Sequence, residues 1–278
     1  MPARSTAAPG RPGSSPPPTP VITPATTKAA RLAGRPVSLT LVRHAESERN
    51  VARNGQRFFA TSRERAAVAG TADHRTPLTA RGRRQADVSG PRIWAAHGPF
   101  DLAWHSGYAR TRETLERLLD GAPPRPRARV RVAHHLFLRE RDSGYTYDMT
   151  EREVRRAFPW LQAYWDTYGP VFGRPPGGES LADVAKRGYL FLNMVFREAA
   201  GKRVLVVSHG GTMWMLRMLL ERWAWDEAEH HYRTGVIPQC SVMPYVFDRG
   251  AGRLVGPATP LVHYDAGDLR AAASGDRG

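Results

Sequence analysis

The pair Arg43-His44 has side chains suited to handling a phosphoryl group. A neutral imidazole is a nucleophile, and a guanidinium offers a fork of donors to phosphate or carboxylate oxygens. Ser47 and Asn50 follow close behind, so this stretch has the makings of a compact anion site. In a chain this rich in arginine about one Arg-His pair arises by chance, and the dipeptide gains meaning only from partners elsewhere. Three other places supply them. Arg110 opens a helical pattern after a short apolar run, Glu140 follows another such run, and His209-Gly210-Gly211 follows the most strongly apolar one. A nucleophile, several cations and a carboxylate are what phosphoryl transfer requires. The cations surround the nonbridging oxygens, and the carboxyl group supplies a proton to the leaving oxygen.

The elements that must position these residues follow from hydrophobic periodicity. Residues 37–42 form a β-branched apolar run that ends abruptly at Arg43-His44, the pattern of a buried strand. Residues 101–105, 130–137, 203–208 and 240–247 give further strands, with 253–255 after the last. Between them lie helical patterns over 45–54, from Leu78 onward with Thr79 as N-cap, over 106–119, 150–157, 159–168, 181–195 and 212–220. Pro91 is expected to interrupt or kink its helix, and Pro159 suits a first helical position. Residues 55–76 and 123–126 carry no periodicity and are expected to be loops. For the aromatics Phe158, Trp160, Tyr164, Trp165 and Tyr168, helical spacing favours core packing over the alternative of capping a substrate pocket. Alternation of strand and helix predicts one α/β domain, a three-layer α/β/α sandwich with a mostly parallel central sheet. In such sheets ligands gather outside the carboxyl ends of the strands, where Arg43-His44, Glu140 and His209 all fall.

Composition sets bounds. The 278 residues are 41% hydrophobic and 24% charged, enough to bury a substantial core. One cysteine, Cys240, excludes an internal disulfide and fits a reducing, cytoplasmic setting. No run approaches a membrane span. The formal charge is +15, and Arg4, Arg11, Lys28, Arg31 and Arg35 contribute five of it within an acid-free opening segment. Nucleic-acid binding is disfavoured, because no recognition motif accompanies the charge. Residues 1–36 are rich in Pro, Ala, Thr, Ser and Gly and are expected to be a disordered tail, 37–265 the folded domain, and 266–278 a second flexible tail. Arg65, Arg75, Arg83 and Arg84 are expected to be solvated, Arg141 and Asp142 to pair at the surface, and Glu179-Ser180 either to cap the helix that follows or to touch substrate.

Taken in order, Leu-Val-Arg43-His44-Ala-Glu-Ser-Glu-Arg-Asn50, Thr76-Pro-Leu-Thr-Ala-Arg-Gly82, Ser106-x-x-x-Arg110-Thr, the Glu140 segment, Gly178-Glu-Ser180 and Ser208-His209-Gly-Gly211 resemble the histidine phosphatases. This superfamily includes the cofactor-dependent phosphoglycerate mutases. The segments around Arg141-Asp-Ser-Gly144 and Pro-Pro-Gly-Gly-Glu-Ser180 look most like the phosphoglycerate-mutase-like proteins of plants, fungi and bacteria. The resemblance implies a phosphoglycerate-mutase-like fold, a phosphomonoesterase acting on a small phosphorylated metabolite, and neither metal nor cofactor. By the same resemblance His44 attacks phosphorus, Arg43, Arg110 and His209 hold its oxygens, and Glu140 serves as acid and then base. Ser47, Asn50 and Gly210 complete the substrate contacts. The alternatives are mutase-type transfer and a non-catalytic phospho-ligand binder. The adjacent histidines His134-His135 and His230-His231 lack a metal-binding spacing. Two departures stand out. Ala45 replaces the family's usual glycine, and its methyl is expected to crowd the phosphate or shift the turn. The residues after Glu140 lack the mutases' tyrosine-glycine-glycine run and downstream lysine, which favours phosphatase over mutase. Oligomeric state is left open.

Overall fold

The central strands are buried along almost their whole length, and successive side chains pass alternately to two cores, one on each face of the sheet. The computed structural model describes residues 35–247 and 254–255; the expected tails at 1–36 and 266–278 lie almost wholly outside them. Strands β1 (Ser38–Arg43), β2 (Leu102–His105), β3 (Arg131–His134), β4 (Arg203–Ser208), β5 (Val242–Phe247) and β6 (Leu254–Val255) form one sheet in the order β3-β2-β4-β1-β5-β6. The first four strands of that order run parallel, while β5 lies antiparallel to β1 and β6 to β5. The helices in chain order are α1 (Glu48–Arg53), α2 (Ser62–Ala66), α3 (Ala80–His97), α4 (Ala109–Asp120), α5 (Pro124–Arg127), α6 (Glu151–Ala157), α7 (Leu161–Phe172), α8 (Leu181–Glu198), α9 (Gly210–Glu221) and α10 (Trp225–Thr234).

Leu39, Leu41, Trp104, Val204 and Val206 share one core with the apolar faces of α8 and α9. The intervening Val42, Ala103, Leu205 and Val207 share the other with Ile93 and Trp94 of α3 and Leu115 and Leu118 of α4. Helices therefore cover both faces, giving the three-layer sandwich with a mostly parallel sheet that the sequence predicts. Leu181, Val184, Phe191 and Val195 form the buried stripe of α8, and Ser180 caps its first turn by accepting from Asp183 N at 3.1 Å. Thr79 caps α3 in the same way, accepting from Gly82 N at 2.9 Å. Gly82 lies against the backbone beyond His44: a Cβ there would be 2.0 Å from the Glu46 carbonyl oxygen, so only glycine lets α3 seat there.

Several expectations are corrected. Helix α3 runs through Pro91, where the ring costs one helical hydrogen bond but the flanking Gly90 packs against the backbone of α4, which holds the two helices together. Residues 55–76 contain α2 and a 3-10 turn, Asp73–Arg75, because Thr61 and Glu64 cap each other reciprocally. The proline-rich stretch forms α5, since Pro124 occupies a first-turn position where no N–H is needed. Strand β3 stops at His134 and gives way to a 3-10 turn, Leu136–Leu138; as an edge strand with exposed side chains it gains little from extending. Pro159 precedes α7 instead of opening it, and α7 continues to Phe172 across a kink at Gly169. Trp160, just before α7, and Tyr168 on it are exposed rather than in the core. Arg65 and Arg83 are not free charges but pair with Glu153 at 2.7 Å and Glu113 at 2.6 Å.

Candidate active site

Strand β1 carries His44 to the carboxyl edge of the sheet, where its N–H donates to the Ser208 carbonyl of neighbouring β4 at 2.9 Å. The imidazole is buried, and its Nδ1 lies 2.7 Å from the Ala45 carbonyl oxygen. A carbonyl only accepts, so Nδ1 carries the proton and Nε2 keeps its lone pair. The Ala45 methyl sits in the core with Val42 and Leu78 while its N–H donates to Thr114 Oγ1 at 3.1 Å. The methyl is thus spent on packing, and Ala45 does not line the cavity beside His44.

A cavity of about 100 Å³ opens at His44, lined among others by Ser47, Asn50, Arg110 and Glu140. Arg110, in the first turn of α4, is buried and its Nη1 donates to the Asp73 carbonyl at 2.7 Å and carboxylate at 2.9 Å. Ser47 donates through N–H and Oγ to Asn50 Oδ1, at 3.1 and 2.8 Å, which fixes the amide. Glu140 comes from the loop after the 3-10 turn; its Oε1 accepts from Arg141 N at 2.9 Å. A Cβ on Gly211 would lie 3.0 Å from the same Oε1, so the second glycine of His209-Gly-Gly leaves room for the carboxylate.

Arg43 and His209 stand beside this cavity rather than on its wall. Arg43 lines the adjoining chamber with Gly210, its Nη1 donating to the Ile237 carbonyl and its Nε buried without a partner. The His209 ring meets that of His44 edge-on at 5.0 Å between centroids. Its Nε2 lies 2.8 Å from Ser106 Oγ, which in turn lies 2.8 Å from Thr111 Oγ1. Thr111 spends its proton on the Tyr108 carbonyl at 2.9 Å. The chain of donors therefore runs outward from His209 Nε2–H, and Nδ1, buried and unpartnered, holds a lone pair while the ring is neutral.

Burial first, and then the positive charge of Arg110, hold the pKa of both His44 and His209 well below 6.5. Burial also lowers His105 to about 4. Unfolded, each ring takes up a proton near its ordinary pKa, while the folded state binds none there. Stability is accordingly full above about pH 6.5 and falls as pH drops below it, by up to about 1.4 kcal/mol per pH unit for each such histidine. Denaturant unfolding at about pH 7.5 and about pH 5.5 measures this. Equal stabilities would mean that the histidines are charged in the native state.

Sequence reasoning overlooked three contributors, Arg49, Arg53 and Asp73. Arg49 is buried, 3.5 Å above the Tyr147 ring, and donates to the Tyr147 carbonyl at 2.7 Å and Asp148 at 3.0 Å. Arg53 donates to the same carbonyl, and Asp73 anchors Arg110. The i, i+4 spacing of Arg49 and Arg53 beside Asn50 was the available signal. Arg141 does not pair with Asp142 but donates to the carbonyls of Glu179 and Gly173 at 2.7 and 3.1 Å, because these lie within reach of a fork that a surface carboxylate would only half use. Glu179 faces away from the cavity, tied to Arg139 and Arg187 at 2.5 and 3.0 Å.

The chain belongs to the histidine phosphatase superfamily, branch 1, whose family model matches residues 39–259. It is 32% identical over 161 residues to 2,3-bisphosphoglycerate-dependent phosphoglycerate mutase 2 of Gloeobacter violaceus, covering 55% of this chain and 68% of that protein. It is 31% identical over 211 residues to a phosphoglycerate mutase-like protein of Arabidopsis thaliana, covering 70% of this chain and 60% of the relative. The alpha-ribazole phosphatase of Shigella flexneri shares its fold with a TM-score of 0.61 at 20% identity, over 81% of this chain and 96% of the other. Mycobacterial glucosyl-3-phosphoglycerate phosphatase does so with a TM-score of 0.56 at 23% identity, over 80% and 98%. No helix among the described residues is long and apolar enough to cross a membrane.

Proposed function

We propose that this protein is a phosphomonoesterase that hydrolyses a small phosphorylated metabolite through a phosphohistidine on His44. The observation that carries this is the His44 ring itself: neutral by burial, its proton committed to the Ala45 carbonyl, its Nε2 lone pair free beside a cavity that also holds a carboxylate. Nε2 attacks phosphorus, and the ester P–O bond breaks as Glu140 delivers its proton to the leaving oxygen. The Glu140 carboxylate then removes a proton from the water that cleaves the P–N bond, returning His44 and free phosphate. Arg43 and Arg110 neutralise the equatorial oxygens, while Ser47, Asn50 and the Gly210 region complete the cradle. A phosphoryl dianion raises the proton affinity of His209, and a proton on Nδ1 turns that orphaned atom into a donor. Positive charge from arginine fills the role that a metal plays in other phosphoryl-transfer sites.

Mutase activity is the second reading, favoured by relatives that are named mutases. The two separate on one assay. With 3-phosphoglycerate and a catalytic amount of 2,3-bisphosphoglycerate, phosphate release is expected to outrun isomerisation, because the segment after Glu140 lacks the mutase pattern. Isomerisation much faster than phosphate release reverses the assignment. A panel of phosphomonoesters, scored by released phosphate, then ranks substrates.

A further inference from the structure

Beyond Glu140 the cleft does not close. It widens into a cavity of about 330 Å³, against about 100 Å³ for the chamber at His44, and both are lined by Arg53 and Glu140. The larger cavity is also lined by Arg57 and Arg141, and Glu140 is the single acid on its wall. An empty apolar pocket of this size would ordinarily take the body of a ligand. Here it is charged instead, and by groups whose donors are not used up.

The Arg53 Nε is buried without a partner, and its one hydrogen bond, from Nη2, goes to the Tyr147 carbonyl that Arg49 also uses. Burial and the neighbouring Arg49 charge bring its pKa down to about 10. Arg49, with its side chain only 7% exposed, leaves both Nε and Nη1 unpartnered where it borders the His44 chamber. Arg57 stacks 4.5 Å over the Trp165 ring and has no hydrogen-bond partner among the described residues. Buried donors without acceptors are costly, and two guanidinium groups sharing one neutral carbonyl repel each other. A bound anion relieves both penalties at once. In the phosphatase assignment above, Arg43, Arg110 and His209 are the groups that meet the transferred phosphoryl group. Arg53 and Glu140 line both cavities and Arg57 only the larger one, so an alcohol protonated by Glu140 and leaving into that larger space meets both arginines.

Resting on the phosphatase assignment above, we propose that Arg53 and Arg57 form a second anion subsite, so that the substrate is the phosphomonoester of a sizeable alcohol carrying a second anionic group, phosphate or carboxylate. Arg49 lines the His44 chamber and its charge reaches Arg53, so it adds to the positive field there. Trp165, held flat beneath Arg57, offers an apolar wall for the carbon skeleton between the two charges.

Three esters on one linear chain test this: an alkanediol monophosphate, the matching bisphosphate, and the matching ω-carboxyalkyl phosphate. Both doubly anionic esters should show kcat/KM higher than the hydroxyl ester by about tenfold or more, the scale of charge-assisted hydrogen bonds. The larger gain identifies which anion the subsite prefers. The margin should shrink with added salt and collapse toward one in R53Q and R57Q. Arg57 is exposed, so R57Q retains the fold and decides the matter if R53Q does not fold. Equal kcat/KM for all three esters, with turnover still dependent on His44, overturns the subsite and leaves the phosphatase assignment standing. Should none of them turn over, calorimetric titration with the monophosphate and the bisphosphate reads the subsite directly. Tighter binding of the bisphosphate, with the margin lost in R57Q, supports it, and equal affinities overturn it.

Discussion

Replacing His44 with alanine is expected to remove turnover by on the order of 10⁶-fold, the loss typical of a deleted nucleophile. The same variant should incorporate no label from a phosphorylated substrate. A phosphoramidate on imidazole is labile to acid and stable to alkali, so rapid quenching of the native protein should trap label that base spares and acid releases. Because His44 is buried between β1 and β4, a thermal melt must accompany the assay to show that the variant folds. A folded His44→Ala protein that still turns over, or still traps acid-labile label, would assign the chemistry to another group. His209, in ring contact at 5.0 Å, would be the first to test.

Glu140→Gln should slow hydrolysis of an alkyl phosphate by roughly 10²–10⁴, the range for a lost general acid. An alkoxide is a strong base and does not depart without a proton. Nitrophenolate does, so formation of the phosphoenzyme from p-nitrophenyl phosphate should suffer far less. Steady-state turnover of that ester still falls, since the same carboxylate must activate water in the second step. The discriminating measurement is the pre-steady-state burst of nitrophenol. A burst slowed as badly as alkyl ester cleavage would remove Glu140 from the role of acid. Glu179 is a poor replacement, because Arg139 and Arg187 hold it outside the cavity. The glutamine variant keeps the space beside Gly211 filled, so the comparison isolates the proton from the packing.

The assignment gives the two histidines different tasks through the same physical cause. Both are neutral because they are buried and ringed by arginine, yet their proton positions differ. His44 gives its Nδ1 proton to a carbonyl and keeps Nε2 as nucleophile. His209 commits Nε2 to the Ser106 hydroxyl, which leaves Nδ1 as the atom that changes state when a dianion arrives.

What the sequence determined by itself was the framework. Short apolar runs placed β1, β2, β4 and β5, period-3.6 stripes placed α8 and α9, and Thr79 and Ser180 marked helix starts that their side chains do cap. These signals are local: a strand's apolar run and a cap's reach are written within a few residues. His44, Arg110, Glu140 and His209 were legible for a related reason, since each follows a short apolar run and the turn after such a run opens toward the sheet's carboxyl edge. Only the tertiary structure decided the rest. Whether the Ala45 methyl would face a phosphate or the core depended on Val42, Leu78 and the Thr114 hydroxyl, the last nearly seventy residues away. Whether Arg49 and Arg53 were solvated charge or cleft donors depended on a carbonyl at Tyr147 that no pattern announces. Arg141, which sequence spacing paired with Asp142, found two carbonyls across the cleft instead. The common cause is that charged and aromatic side chains take their role from the partner that reaches them. Periodicity specifies which face of an element is buried, but contacts between distant segments arise only when the sheet brings them together.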